Sequence, residues 1–433
     1  MSPKNTEITA VVANSTGEIT ELPGYGAVGM DGVLKVPLTR KNTSALPYGG
    51  ELMYLPDRIP LVYNFSNNRI EALERHPVFS DQKIYPVAAF NSPGYVLKLT
   101  AAYKEKPKAK LLPLFSYGAV GWQKGEFCSA VIQVDKEPRQ DLRKMPQKKI
   151  MVGIRRQRRN LPENRLRAHL ENCALTYGCP AAKNFFLGRY EAPLPTSKSC
   201  NAGCLGCISL QEDGNISSSQ DRIFFTPTPK EIADVALSHI KKVPKAVVSF
   251  GQGCEGDPLM AAETIIKAIY MIRKETDQGT INMNTNASRP EVMKALFMAG
   301  LDSVRVSLNS VREPCYKAYF RPKGYGFSHV LESISEGVKG KIHVALNYLN
   351  CPGFSDTPEE AEAFLNFLST FSIGLIQWRN LNFDPLRYVH LMNQAIPCST
   401  PMGMDTLLKR VRKAFPLVRF GYFNPPKEEY YRL

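Results

Sequence analysis

The pattern of apolar and polar residues changes along the chain between residues 160 and 185. Before that point, short apolar runs are separated by Pro, Gly and Asn, a pattern that is typical of strands joined by turns. The clearest runs are Ile8–Val12, Val33–Leu38, Pro60–Phe65, Tyr95–Thr100 and Phe127–Val134. They predict a smaller β-rich domain over residues 1–160. A basic, helical connector over residues 161–189 should follow, with Leu166, Leu170, Cys173 and Tyr177 on its apolar side and Arg165 and Arg167 outside.

A second pattern, in which apolar strands alternate with amphipathic helices, begins near residue 185. The predicted strands are Ala246–Phe250, Thr280–Asn284, Ser303–Leu308, His343–Tyr348 and Ile373–Arg379. The predicted helices are Pro258–Arg273, Pro290–Ala299, Ser328–Gly337 and Thr357–Thr370. Repeated βα units favour a parallel sheet or barrel, and a strand just before Cys200 raises the strand count to six. We therefore predict an α/β domain over residues 190–390 and a C-terminal extension over residues 391–433.

Composition narrows the class of protein. The 433 residues, 43% of them hydrophobic and 22% charged, describe a globular protein of two or three domains. The chain has no apolar run of about 18 residues that would predict a membrane span, and residues 1–7 lack a signal-peptide pattern. A cytoplasmic location is expected. There, the ten cysteines should be metal ligands or free thiols rather than disulfides.

Positive charge is concentrated in the first half of the chain. Of the net +15, residues 1–190 contribute +12 from 28 basic and 16 acidic side chains. The densest segment is 143–167, and its basic members are Arg143, Lys144, Lys148, Lys149, Arg155, Arg156, Arg158, Arg159, Arg165 and Arg167. Such a stripe can neutralise phosphates of a nucleic acid. A basic surface that only keeps the protein soluble is the alternative.

Three cysteines carry the clearest chemical signal. Cys200, Cys204 and Cys207 form a C-x3-C-x2-C run. Three thiolates this close can ligate three irons of a [4Fe–4S] cube and leave the fourth iron open to a small molecule. A structural zinc site would usually need four ligands, often two C-x2-C pairs, and no second pair follows here. The spacing favours a cluster that performs chemistry.

This run resembles that of the radical S-adenosylmethionine (radical SAM) superfamily, although Gly206 stands where that family often has an aromatic residue. The resemblance implies a partial (β/α)6, TIM-like barrel. It also implies that the open iron chelates SAM and that the reduced cluster cleaves SAM to methionine and a 5′-deoxyadenosyl radical, which abstracts hydrogen from a substrate. An electron donor such as a flavodoxin or ferredoxin is implied as well.

Further family-like motifs follow at strand ends. The stretch from Gly251 to Leu259 resembles the Gly-Gly-Glu-Pro motif, which implies that Gly251, Gly253, Glu255 and Asp257 hold the SAM amino group. By the same resemblance, the remaining SAM pocket is lined by Thr285, Asn286, Ser307, Asn309 and Arg321. Polar residues at the ends of the last two strands, among them Asn347, Gln377 and Arg379, are candidates for contact with adenine or substrate.

Cys254 lies inside the stretch that resembles the SAM-binding loop. A thiol there could donate a hydrogen atom or form a substrate adduct, so Cys254 is a candidate catalytic residue. A buried apolar thiol is the alternative.

The substrate is less defined. Because segment 143–167 leads directly into the α/β domain, we expect a macromolecular substrate, RNA or protein. Three alternatives stay open: a radical SAM enzyme that acts on a small metabolite, a non-enzymatic nucleic-acid-binding protein with a structural metal site, and an iron–sulfur electron carrier.

Overall fold

The computed structural model describes residues 8–212, 214 and 216–430. Its N-terminal part consists of antiparallel strands, as the short apolar runs predict. The strands are β1 (Thr9–Ala13), β2 (Ile19–Asp31), β3 (Leu34–Pro37), β4 (Ser44–Ala45), β5 (Glu51–Tyr54), β6 (Arg58–Asn64), β7 (Arg69–Ala72), β8 (Tyr85–Phe90), β9 (Tyr95–Leu97), β10 (Thr100–Ala101), β11 (Tyr103–Glu105), β12 (Val120–Gln123), β13 (Glu126–Ser129) and β14 (Val131–Gln133). Twelve of them form one sheet, and β9 pairs with β14 apart from it.

Three helices connect this part to the second one: α1 (Gln147–Asn160), α2 (Arg165–Leu175) and α3 (Pro180–Leu187). Helix α1 begins inside the segment 1–160, and its Ile150 and Ile154 belong to the core of the α/β part. The sequence does not reveal this helix, because its apolar face is narrow and the helix also contains four arginines. Gly153 lets α1 approach α3 closely, since a Cβ at that position would lie 1.9 Å from the Phe186 carbonyl oxygen.

The second part is an α/β fold around one parallel sheet. Its strands pair in chain order: β15 (Glu191–Pro193), β16 (Val247–Phe250), β17 (Thr280–Thr285), β18 (Ser303–Leu308), β19 (His343–Asn350), β20 (Leu375–Asn380) and β21 (Arg419–Phe420). The helices are α4 (Pro229–Ile240), α5 (Ala262–Glu275), α6 (Pro290–Ala299), α7 (Glu313–Phe320), α8 (Phe327–Lys339), α9 (Pro358–Thr370), α10 (Pro385–Ala395) and α11 (Met404–Ala414).

Among the described residues no ladder joins β15 to β21, so the sheet is an open, partial barrel. The predicted fold class, an α/β barrel-like domain preceded by a β-rich region, is confirmed. The structure adds the short strand β21 and the helices α4, α7, α10 and α11. The boundaries proposed for the domains stay predictions.

Proline and capping residues set where many barrel helices start. Helix α4 has Pro229 in its first turn and a capping box in which Thr228 and Glu231 each accept from the other's backbone N–H. Pro290, Pro358 and Pro385 are likewise the first residues of α6, α9 and α10. Such starts place each loop between strand and helix at the carboxyl edge of the sheet, where ligands bind in parallel α/β folds.

The basic segment 143–167 is partly neutralised. Arg165 pairs with Glu231 at 2.7 Å, and Arg158 and Arg167 both pair with Glu171. Arg167 is buried, so the expectation that it points outward is wrong: its guanidinium also donates to the backbone carbonyls of Leu161 and Pro162, which compensates its desolvation. Lys148, Lys149, Arg155 and Arg159 are exposed.

The β-rich part is fixed to the carboxyl edge of the parallel sheet by buried polar contacts. Buried Arg58 donates to Asp384 at 2.9 Å, and the Tyr103 hydroxyl donates to the same carboxylate at 3.0 Å. Leu97 N donates to Asn380 Oδ1 at 2.9 Å. Gly32 N donates to the carbonyl of Pro352, and here Gly32 and Gly353 are so close that a Cβ on Gly353 would lie 1.8 Å from Gly32 N.

Candidate active site

A cavity of about 530 Å³ opens at the carboxyl ends of the parallel strands. Loops after β15, β16 and β17 and the carboxyl ends of β18, β19 and β20 surround it, as expected for a parallel barrel. Its lining includes all three triad cysteines and most of the predicted SAM-pocket residues: Cys200, Cys204, Cys207, Gly251, Gly253, Cys254, Glu255, Asp257, Thr285, Asn286 and Ser307. The structure therefore brings together residues that are more than 100 positions apart in the sequence.

The triad cysteines lie on the loop that follows β15. Burial raises the pKa of Cys200 to about 11 and that of Cys204 well above its usual range. The Arg222 guanidinium lies 3.5 Å from the Cys207 sulfur and can stabilise negative charge there. Arg222 was not identified from the sequence, because nothing in its neighbourhood distinguishes it from a surface arginine.

Gly206 makes room for an aromatic side chain from another element. A Cβ at this position would lie 2.7 Å from the Tyr319 hydroxyl and 2.9 Å from Asn382 Oδ1. Tyr319 comes from α7 and lines the cavity beside the cysteines. An aromatic ring thus lies next to the triad, although the residue before Cys207 is glycine.

Glu255 is enclosed by backbone donors. One carboxylate oxygen accepts from Thr196 N at 2.7 Å and Ser197 N at 2.9 Å, and the other from Gly251 N and Gln252 N, both at 2.7 Å. Burial raises the pKa of Glu255 to about 7, while the four N–H groups favour its ionised form. With both oxygens engaged, Glu255 ties the glycine-rich loop to the chain entering the cysteine loop.

Two glycines allow these loops to touch. Gly251 has φ +77°, and a Cβ there would lie 1.8 Å from the Asn284 carbonyl oxygen. At Gly256 a Cβ would lie 1.9 Å from the Ser199 carbonyl oxygen. Gly256 N and Asp257 N in turn donate to the carbonyls of Ser197 and Ser199. The glycine-rich loop and the cysteine loop are therefore held in direct backbone contact.

Asp257 extends the same network to the third strand. Its carboxylate accepts from the Thr285 hydroxyl and from Asn286 N, each at 2.7 Å. The Asn286 amide donates to Asn201 Oδ1 at 2.8 Å, and Asn201 lies within the cysteine triad. Burial raises the pKa of Asp257 and these hydrogen bonds oppose the rise. Asp257, Thr285 and Asn286 thus position one another as well as facing the cavity.

Two predicted residues lie elsewhere. Asn309 is fully buried, and its amide donates to the Cys315 carbonyl and to the Tyr388 hydroxyl beneath α7 and α10. It falls one residue past the end of β18, so the alternation that aligns it with Ser307 ends before it. Arg321 caps α7 in a left-handed conformation and lines a neighbouring cavity that also contains Cys204, Cys207 and Arg222. Their predicted contact with SAM stays a prediction.

Polar groups without partners face the cavity from its far side. Arg305 Nε, Asn347 Oδ1, Gln377 Oε1 and Asn424 Oδ1 are buried and have no hydrogen-bond partner among the described residues. Burial lowers the pKa of Arg305 to about 10, which leaves it cationic at neutral pH. Arg379 lines the same cavity. A buried polar atom without a hydrogen-bond partner destabilises the folded protein. A polar ligand bound at this wall would supply the missing partners.

Cys254 also faces the cavity, and its thiol contacts two further side chains. Its sulfur lies 3.4 Å from His169 Nε2, and that nitrogen lies 3.4 Å from the sulfur of Cys173. The contact with Cys173, together with burial, raises the pKa of Cys254 well above its usual range. The predicted catalytic role of Cys254 stays a prediction.

Residues 194–368 match the family model described as the radical SAM superfamily. This part of the chain is a radical SAM domain. The matched range begins directly after β15 and contains the cysteine triad and the glycine-rich loop. The recognition made from the cysteine spacing is confirmed.

Two relatives of the radical SAM domain carry the same activity in their names. The chain is 27% identical over 179 residues to the GTP 3′,8-cyclase of Clostridium botulinum, and this alignment covers 41% of the chain and 51% of that protein. It is 31% identical over 162 residues to a probable GTP 3′,8-cyclase of Thermococcus kodakarensis, and this alignment covers 37% of the chain and 47% of that relative. The chain thus spans about half the length of these relatives.

Solved structures overlap the chain in part. Streptococcus suis SuiB bound to S-adenosylmethionine is 12% identical, with a TM-score of 0.37 over 56% of this chain and 52% of that one. The FeFe-hydrogenase maturase HydG from Carboxydothermus hydrogenoformans is 12% identical, with a TM-score of 0.35 over 58% of this chain and 68% of that one.

Radical SAM proteins use a [4Fe–4S] cluster and SAM, and the residues present fit both. The triad sulfurs line the cavity. Among the described residues, the three triad sulfurs do not all lie within 4.8 Å of one another, the spacing that a single metal ion would require. A wider spacing suits thiolates that ligate different irons of a cube. Gly251 and Gly253 line the same cavity as the triad cysteines, where the SAM-binding loop is expected.

Radical SAM enzymes need an electron donor. Within the described ranges, every helix is too short or too polar to cross a lipid bilayer.

Proposed function

We propose that this protein is a radical SAM enzyme whose substrate is a small, polar, anionic metabolite of the nucleotide class. The observation that carries this proposal is the cavity itself, in which the cysteine triad and glycine-rich loop face a wall of arginines and unpaired amides. The names of the two relatives, both GTP 3′,8-cyclases, support the substrate class.

In this proposal Cys200, Cys204 and Cys207 hold the cluster, and the loop from Gly251 to Asp257 holds SAM. When bound, the two groups supply a one-electron cleavage of SAM and a carbon radical that takes hydrogen from the substrate. Glu255 and Asp257 fix the positions of the loops. Tyr319 shields the cysteines from solvent on the α7 side.

The far wall would hold the substrate. Arg305 Nη1 donates a hydrogen bond to the Tyr422 carbonyl at 2.9 Å, whereas its Nε has no partner among the described residues. Nε can therefore donate to a phosphate or carboxylate oxygen. Arg379 adds a second positive charge to that wall. Asn347 and Gln377 offer acceptor oxygens to the donors of a base or sugar. A nucleotide carries all of these complementary groups.

A macromolecular substrate, the expectation from the basic segment, is less supported. The ion pairs of Arg158, Arg165 and Arg167 neutralise part of the stripe. Its exposed members, such as Lys149 and Arg155, could still contact RNA or protein. A cytoplasmic location, and flavodoxin or ferredoxin as the electron donor, also stay predictions.

The test uses anaerobically reconstituted full-length protein with dithionite and SAM. We expect about four irons per chain and slow formation of 5′-deoxyadenosine, accelerated by GTP or another nucleoside triphosphate. The variant Arg305→Gln should raise the KM for that nucleotide and leave the uncoupled cleavage unchanged. Arg155→Glu, on the exposed stripe, is the matched control and should change neither.

Two outcomes would contradict the proposal. Zinc in place of iron, with no SAM turnover, would remove the radical chemistry and favour a structural metal site in a nucleic-acid-binding protein. Acceleration by RNA or a protein, but by no nucleotide, together with its loss in Arg155→Glu, would restore the macromolecular substrate.

A further inference from the structure

Three side chains of metal-ligating types come together outside the cysteine triad. His169 Nε2, Cys173 Sγ and Cys254 Sγ all lie within 4.8 Å of one another. Cys173 and Cys254 are buried. None of the three residues belongs to the cluster motif, and the proposed function does not use them together.

The local structure brings the three ligand atoms close together. His169 and Cys173 are four residues apart on α2, so both side chains lie on the same face of that helix. Cys254 reaches them from the loop after β16, and its carbonyl accepts from Ile223 N at 2.8 Å. Two ligands thus come from a regular helix and the third from a loop held by backbone contacts.

The distances match those of a tetrahedral zinc site. With Zn–S at about 2.3 Å and Zn–N at about 2.0 Å, tetrahedral angles require an S···N separation of about 3.5 Å. Both S···N separations here are 3.4 Å. An ordinary S–H···N hydrogen bond could account for one of these contacts, but a neutral imidazole nitrogen cannot serve both thiols equally well.

We propose that His169, Cys173 and Cys254 bind a zinc ion at the edge of the SAM cavity, with its fourth coordination position open to the cavity. Cys173 and Cys254 line the cavity, and His169 contacts both sulfurs without lining it. Two soft thiolates and one imidazole select Zn²⁺ over harder divalent ions. Three protein ligands with an open position are typical of zinc sites that contact a substrate.

The proposal gives Cys254 a role other than hydrogen-atom donor, because a thiolate ligand has no S–H to donate. Zinc would also join α2 to the glycine-rich loop. The site stands independently of radical SAM chemistry, since none of its ligands belongs to the triad.

The test separates the two metals. In a full-length variant with Cys200, Cys204 and Cys207 all changed to Ser, the iron–sulfur cluster is lost, and we expect about one zinc per chain by elemental analysis. Co²⁺ added in place of zinc should give the visible absorption of a tetrahedral thiolate complex. His169→Gln and Cys173→Ser in this background should weaken zinc binding by more than roughly 100-fold, since even outer-shell partners contribute about 10- to 100-fold.

Cys128→Ser, at a buried thiol of the β-rich part, is the matched control and should retain the zinc. His169 is partly exposed, so its substitution should leave the circular dichroism spectrum and unfolding transition intact and isolate the loss of metal. Three results would overturn the proposal: a folded triad variant that binds neither Zn²⁺ nor Co²⁺, full zinc binding in the His169→Gln, Cys173→Ser double variant, or a Cys173–Cys254 disulfide in the untreated protein. In the reconstituted unsubstituted protein, absence of SAM cleavage with zinc bound would reject the proposed function alone.

Discussion

Replacing Glu255 with glutamine tests whether this buried carboxylate holds the two loops of the active site together. The carboxylate accepts four backbone N–H groups at 2.7 to 2.9 Å. An amide of the same shape has one oxygen and one NH2 group, so two of the four donors would face another donor. Each hydrogen bond to a charged group is worth about 1.5–3 kcal/mol. The substitution should therefore lower the free energy of unfolding by about 3–6 kcal/mol.

Urea unfolding of the cluster-free protein, followed by circular dichroism, measures this loss directly. With a slope of about 3 kcal/mol per molar urea, the midpoint should fall by about 1–2 M. Iron retained per chain after reconstitution should fall as well, because Thr196 and Ser197 lead into the cysteine loop.

Glu263→Gln is the control. Glu263 is an exposed residue of α5 that pairs only with Lys267 in the described structure, and its loss should cost less than about 0.5 kcal/mol. If Glu255→Gln unfolded like Glu263→Gln and kept its full iron content, the positioning role of this carboxylate would be refuted.

Three shorter predictions concern the cluster, the SAM loop and the domain contact. Cys204→Ala should abolish iron binding and SAM cleavage, while a far-ultraviolet spectrum shows the β-rich part still folded. Gly251→Ala should destabilise the protein and abolish SAM binding in equilibrium dialysis, because its Cβ would meet the Asn284 carbonyl oxygen at 1.8 Å. Burial and the facing Asp356 raise the pKa of Asp31 to about 8. The native state therefore holds a proton that the unfolded chain releases, and stability should fall as the pH rises from about 4 to about 8; Asp31→Asn should remove much of this fall.

Each of these predictions has its own counter-result. SAM cleavage that survives in Cys204→Ala would remove the triad from the chemistry. Gly125 has the similar φ of +85° but open space around it, so an equal loss in Gly125→Ala would assign the effect to backbone strain alone. An unchanged pH profile in Asp31→Asn, with Asp81→Asn as the exposed control, would show that the Asp31–Asp356 pair does not share a proton.

Much of the α/β part could be predicted because its signals are local. Apolar runs such as Val304, Val306 and Leu308 define buried strands, and the cysteine spacing lies within eight residues. Helix α4 has a proline in its first turn and a capping box, but the sequence does not reveal it because the long segment after the triad masks where the βα alternation resumes.

The parts that could not be predicted depend on contacts between distant residues. Nothing near Glu255 in the sequence shows that Thr196 and Ser197 will use its second oxygen. Arg222 and Tyr319 reach the triad from other elements, and the proximity of His169 to Cys254 is created only when α2 packs against the loop after β16. Period-two alternation placed Asn309 beside Ser307, but the strand ends at Leu308, so the rule no longer applied.

The contact between Gly32 and Gly353 has a consequence for how this protein can change over generations. A Cβ on Gly353 would lie 1.8 Å from Gly32 N, so Gly353 can be replaced only if the segment around Gly32 moves first. Asp384 imposes a similar restriction, because a barrel inherited without Arg58 and Tyr103 would carry a buried carboxylate that has lost both of these side-chain partners. Recombination that exchanged one half for a homologous half should therefore succeed only when the junction residues are exchanged with it.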